Sequence, residues 1–192
     1  MSWSDTVDRL TRLLHGLDFR NADGGPMDVD DGFAHLTTLA LDVFRDRRVL
    51  YAIGNGASAS MASHFAADMA KNGRLHTQVF SDLSLITAVA NDLAYEEVFA
   101  EPLRRVGERG DVLVAISSSG RSPNILRAVE VARERGVTVV TLSGMDADNP
   151  LRCMGDLNGY IPANTYGGAE TAHAAVLHQW IDLVVDAQKE ES

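Results

Sequence analysis

The sequence predicts an α/β fold with a parallel sheet covered by helices on both faces. Three observations carry this. Short apolar runs at 49–53, 111–116 and 137–142 have the look of strands buried on both sides, and Gly54 and Gly144 close the first and last of them. Segments with helical spacing separate these runs. Strands alternating with helices imply right-handed βαβ crossovers. The chain has 192 residues, 45% hydrophobic and 23% charged, which suits one domain and an ordinary core. No linker interrupts it, so the expectation is one domain over 1–192 with a helical extension over about 1–46.

Taken in order, residues 3–17 place Trp3, Val7, Leu10, Leu13 and Leu14 at helical spacing. The segment 21–28, NADGGPMD, reads as a loop because Gly and Pro break that pattern. A second amphipathic helix spans 29–46, with Phe33, Leu36, Leu39, Leu41 and Phe44 on its apolar side. These two helices either build an interface between copies or cover the chain's own sheet. After the strand at 49–53 come a helix over 58–72, a strand at 77–80, and mainly helix over 83–106 with a break near Asn91-Asp92. The strand at 111–116 leads into a helix over 122–135 that stops at Gly136. A strand at 137–142, a weaker one around Tyr160-Ile161 and a long helix over 168–189 complete the chain.

Charge narrows the function. Seventeen Lys and Arg against 27 Asp and Glu give a net charge of −10, a poor surface for nucleic acid or an anionic membrane. No apolar run approaches the ~20 residues of a membrane span. The first residues carry early acids and no apolar core, so they do not read as a secretory signal. Cys153 is the single cysteine and has no intrachain partner, so the cytosol is the expected compartment and the thiol an inert packing group.

In such a sheet, ligands bind beyond the carboxyl ends of strands where strand order reverses. Beyond 111–116 lies Ser117-Ser118-Ser119-Gly120-Arg121-Ser122-Pro123-Asn124. Four hydroxyls and a glycine precede a helix whose first position suits Pro123 and whose cap suits Ser122. Free amides and hydroxyls there make an anion cradle fit for phosphate. It lacks the Walker lysine, so it is no nucleotide-hydrolase loop. Gly54-Asn55-Gly56-Ala57-Ser58 follows the first strand in the same way, with Ser58 as an expected cap. It does not fit the dinucleotide fingerprint. Two such loops at neighbouring strand ends would converge on one phosphorylated small molecule.

His64 and Asp68 stand four apart on one helical face and suit a divalent ion. Near the carboxyl end, Glu170 shares a face with His173, while His178 lies about 12 Å further along the same axis. Asn91 and Asp92 would reach the crevice or serve only as a turn. Lys71 and Arg74 would either complement a helix dipole or touch substrate phosphate.

GNGAS, HFAAD, ITAVAND and GDVLVAISSSGRSPNILRAVEVARERG, in that order, resemble the sugar isomerase (SIS) domain over about residues 30–188. Within it they are most similar to the sedoheptulose 7-phosphate isomerase (phosphoheptose isomerase) group. The resemblance implies an αβα sandwich around a five-stranded parallel sheet, a homotetramer with shared active sites, and aldose–ketose isomerisation of a phosphorylated sugar through an enediolate. It places substrate phosphate on Ser117, Ser118, Ser119 and Ser122, with further substrate contacts at Asn55, Ser58, Asn91 and Asp92. It gives His64, Asp68, Glu170 and His178 as ligands of a divalent metal, zinc in the family, and Asp68, Glu170 and His178 as the groups that move protons. The chain departs from the family at Asp68, where a glutamate is usual, at Glu170, where a glutamine is usual, and at Asn72, where an arginine is usual.

Overall fold

The computed structural model describes residues 2–190; Met1 and the last two residues, which the sequence reading counts in the same domain, lie outside them. In chain order the elements are α1 (Trp3–His15), β1 (Asp18–Asn21), β2 (Pro26–Met27), α2 (Val29–Arg45), β3 (Val49–Gly54), α3 (Ala57–Lys71), β4 (His76–Val79), α4 (Leu83–Asp92), α5 (Glu97–Val106), β5 (Val112–Ser117), α6 (Pro123–Arg135), β6 (Thr138–Gly144), a 3-10 turn (Pro150–Cys153), β7 (Leu157–Ile161) and α7 (Tyr166–Glu190).

The strands form one sheet in the order β2-β1-β7-β6-β5-β3-β4. The five from β7 to β4 are parallel. Strand order reverses between β3 and β5, which pair directly. That is the position where a crevice opens beyond the carboxyl ends.

Alternation along each strand sorts the core into two halves. Leu50 and Ala52 of β3, with Val112, Val114 and Ile116 of β5, face α2, α3 and α7. Tyr51 and Ile53, with Leu113 and Ala115, face α4, α5 and α6. Every residue of β5 is buried, so the strand lacks the apolar–polar alternation of a half-exposed sheet. Phe65 of α3 and Trp180 of α7 pack with ring centroids 5.1 Å apart and fill the first layer.

The sheet has seven strands where the resemblance implied five. The additional pair is the hairpin β1–β2, formed by residues 18–20, to which the sequence pattern assigns no element, and by part of the expected loop 21–28. β1 runs antiparallel to β7, with Phe19 opposite Gly159. Phe19 is fully buried, and its ring lies where Gly32 leaves room: a Cβ there would meet the ring at 2.4 Å. Asn21 closes the turn by accepting from the amides of Asp23 and Gly25.

Candidate active site

Gly54 ends β3, and a Cβ on it would come within 2.5 Å of the Ser58 backbone. The chain therefore turns sharply into α3. Gly56 takes a left-handed backbone, φ 56°, as the cap residue without a side-chain bond. The helix thus starts two residues earlier than a Ser58 cap requires, and Ser58 sits buried in its first turn.

The serine loop after β5 stands beside this turn. Asn55, Gly56, Ala57 and Ser58 line one side of a cavity of about 320 Å³, Ser117, Ser118, Ser119 and Ser122 line the other, and Tyr166 and Glu170 of α7 close it. The Ser117 and Ser122 hydroxyls lie 3.3 Å apart. Ser122 caps α6 by position, without a side-chain bond to the helix. The Ser118 hydroxyl is buried and has no hydrogen-bond partner among the described residues, an arrangement that costs free energy unless a ligand or water completes it. α6 directs its N-terminus at the same space, which favours an anion there.

The two loops are tied to each other. Asn55 Nδ2 donates to Asn124 Oδ1 at 2.9 Å, and Asn124 Nδ2 donates back to Asn55 Oδ1 at 2.9 Å. The Tyr95 hydroxyl adds a third bond to Asn55 Oδ1. From behind, Asn149 supports the serine loop. Its amide donates to the Ser143 hydroxyl and to the carbonyls of Gly144 and Asp146, and Leu151 N–H donates to the Gly120 carbonyl. Gly120 has φ 62° and abuts Asn149, so only glycine fits. Arg121, in the loop itself, pairs with Asp146 at 2.6 Å; the amide bond from Asp148 and, after it, this pairing hold the Asp146 carboxyl below the ordinary range.

A second group of polar side chains lies on the outer faces of α3 and α7. One ligand atom each from His64, Asp68 and His178 falls within 4.8 Å of the others. His64 Nε2 is 3.3 Å from Asp68 Oδ2, and the two imidazole rings are 5.4 Å apart. Met61, Phe65, Leu177 and Ile181 form the apolar floor. Two imidazoles and a carboxylate are a donor set suited to a divalent ion, with a fourth position open.

The SIS domain model matches residues 28–144. Phosphoheptose isomerase of Trichlorobacter lovleyi is 33% identical over 157 residues, covering 79% of this chain and 80% of that one. Phosphoheptose isomerase of Coxiella burnetii is 37% identical over 139 residues, covering 68% and 70%. The solved phosphoheptose isomerase of Neisseria gonorrhoeae superposes with a TM-score of 0.80 at 29% identity, covering 94% and 95%. The chain belongs to the SIS-domain family, in its phosphoheptose isomerase branch.

In this SIS-domain chain the residues singled out from sequence fall into three places. Asn55, Ser58, the four serines and Glu170 share the first cavity. His64, Asp68 and His178 gather at the second, and Glu170 is not among them. Asn91 and Asp92 join neither. They are exposed at the end of α4, where Asn91 Nδ2 donates to Asp92 at 2.8 Å, and they line a shallow recess with Leu83, Ser84, Thr87 and Ala88. Arg74 is likewise absent from both cavities. His173 is fully buried, and Cys153 is exposed rather than packed. Sequence reading missed Asn124, Asn149, Tyr95 and Tyr166. Asn124 was within sight, as the residue after Pro123 at the start of the helix that opens from the serine loop. Asn149 and Tyr95 reach the loops only through the fold.

Proposed function

We propose that this chain interconverts sedoheptulose 7-phosphate and D-glycero-D-manno-heptose 7-phosphate. The observation that carries the reading is the serine cavity at the β3–β5 switch point, with the buried Ser118 hydroxyl left without a partner. Serine hydroxyls and the α6 N-terminus hold the phosphate and fix the carbonyl end of the sugar, so remote binding energy positions the reacting carbons. Glu170 is the carboxylate that lines this cavity and takes the proton from the carbon beside the carbonyl. Asp68 is the weaker candidate for base because His64 and the ion position already engage it. The proton at oxygen is exchanged by His178, through the ring nitrogen that a bound ion leaves free. His64, Asp68 and His178 would hold a zinc ion, which polarises a carbonyl and stabilises an enediolate when bound.

The two cavities lie on different stretches of α7, which Glu170 and His178 mark about 12 Å apart along the helix. We therefore assign the complete site to two copies, one supplying the serine cavity and another the His64–Asp68–His178 group, within a homotetramer.

Incubation with sedoheptulose 7-phosphate, with and without zinc, should yield aldoheptose phosphate. Tight binding without turnover in either condition would make the chain a sugar-phosphate sensor instead. For Ser119→Ala, KM should rise by about tenfold for one lost hydroxyl contact. His178→Ala should lose about 10²–10⁴ in kcat with phosphate binding intact. Mixing His178→Ala with Glu170→Gln, which lacks the carboxylate base of the serine cavity, should restore activity, because mixed assemblies contain sites with both groups unaltered. No recovery on mixing would place both groups in one copy.

A further inference from the structure

At the opposite end of the sheet from the serine cavity, where β3 and β4 begin, lies a cavity of about 570 Å³. Its lining is Val43, Phe44, Arg45, Arg47, Arg74 and His76. Three guanidinium groups and an imidazole around one space are unexpected on a chain of net charge −10. Arg45 is held by Asp42 and the Leu41 carbonyl. Arg47 and Arg74 are exposed, and neither guanidinium group makes an ion pair or hydrogen bond among the described residues.

Their backbones add a second argument. Arg47 has φ 53° and Arg74 φ 57°. Both follow a helix end, and both sit inside closures of the glycine-favouring kind: Arg48 N–H donates to the Val43 carbonyl, and Leu75 N–H to the Met69 carbonyl. Glycine or asparagine would take these positions with less strain. Complementing the helix dipoles does not require it either, since Arg45 and Lys71 already end α2 and α3. Two strained positions thus carry unpaired guanidinium groups beside one cavity, and left-handed non-glycine residues of this kind cluster at binding and active sites.

We propose that this cavity binds a diphosphate group, distinct from the substrate phosphate in the serine cavity. Each guanidinium can grip phosphate oxygens in a two-pronged fashion, and two unpaired arginines with His76 supply more donors than a single phosphate needs. Phe44, 40% exposed on the cavity wall, offers a face on which the base of a nucleoside diphosphate stacks.

The test is titration calorimetry on the intact protein with pyrophosphate, ADP and inorganic phosphate. Pyrophosphate and ADP should each bind once per chain, more tightly than inorganic phosphate and more weakly as salt rises. The double variant R47G/R74G should lose at least about tenfold in affinity for both, with Tm unchanged or raised because glycine relieves the backbone. R47N/R74N, which tolerates the same backbone, should behave alike. Ser119→Ala should leave this binding intact. ADP binding that exceeds pyrophosphate and falls to its level in Phe44→Ala would identify a nucleotide; equal affinities would identify the bare diphosphate. Binding that survives both arginine variants, or that vanishes only in Ser119→Ala, would overturn the proposal.

Discussion

On α7, the fully buried ring of His173 lies 3.0 Å from the Ser143 carbonyl through Nε2. A carbonyl only accepts, so Nε2 carries the proton, and the buried Nδ1 has no partner among the described residues. Burial lowers the pKa from 6.5 to about 4, against a smaller opposing effect of the Ser143 bond. The unfolded chain takes up a proton near pH 6.5, while the folded chain does so only near 4. Stability is therefore complete above pH 6.5 and should fall, by on the order of 3 kcal/mol, as pH drops toward 4. Urea unfolding across that range should show the slope in the wild type and a flatter one in His173→Gln. Behind the serine loop, Gly120→Ala would place a Cβ 1.9 Å from Asn149 Oδ1 at a left-handed φ. We expect a loss of about 2 kcal/mol or more and a raised KM, measured by thermal melting and by kinetics. Residue identities were legible wherever spacing along one element decides the matter. His64 and Asp68 are four apart on one helix and do meet, at 3.3 Å. Asn149 was not legible, because its role depends on the serine loop, which a separate strand places against it.

The elements separate in the same way. The apolar runs at 49–53, 111–116 and 137–142 became β3, β5 and β6 within a residue or two at each end, since a strand buried on both faces needs an unbroken apolar run. The break near Asn91-Asp92 is real, but it falls just after them, between α4 and α5. The β1–β2 hairpin has no strand signal in the sequence, which shows a loop over 21–28 and no element over 18–20. Its main buried side chain is Phe19, and its partner strand β7 lies some 140 positions away, so local pattern carries little of its signal. An ion pair fastens the hairpin. Arg152, 8% exposed, meets Asp18, donates to the Ala147 carbonyl at 2.8 Å and lies 3.9 Å over the Tyr160 ring. Asp18→Asn would leave a nearly buried guanidinium with its charge uncompensated. We expect about 1–3 kcal/mol of lost stability, below the full value for a buried pair because Asp18 is itself partly exposed. Chemical denaturation measures this. A double variant with Arg152→Met should recover part of the loss.

Over the whole molecule, apolar surface is left open along α1, where Trp3 is 80% exposed, Val7 45% and Leu14 37%. Its inner side buries Leu13 against the α7 layer. The helix thus covers its own core with one side and offers a second apolar side outward, which supports its proposed use between copies. Val7→Asp should dissociate the assembly in size-exclusion chromatography and abolish turnover, with the melting of the separated chain little changed. An unaltered elution volume would remove α1 from the interface.

The sequence by itself determined the parallel α/β core, the position of the serine loop beyond β5 and the His64–Asp68 pair, because each rests on periodicity or spacing within one short segment. Tertiary structure alone decided three things: that β1 and β2 extend the sheet, that Asn149 and Asn124 brace the serine loop, and that Glu170 stands with the serines while His178 stands with His64 and Asp68. These depend on which distant segments share a strand edge or a helix face, and contacts across such distances leave little trace in local patterning.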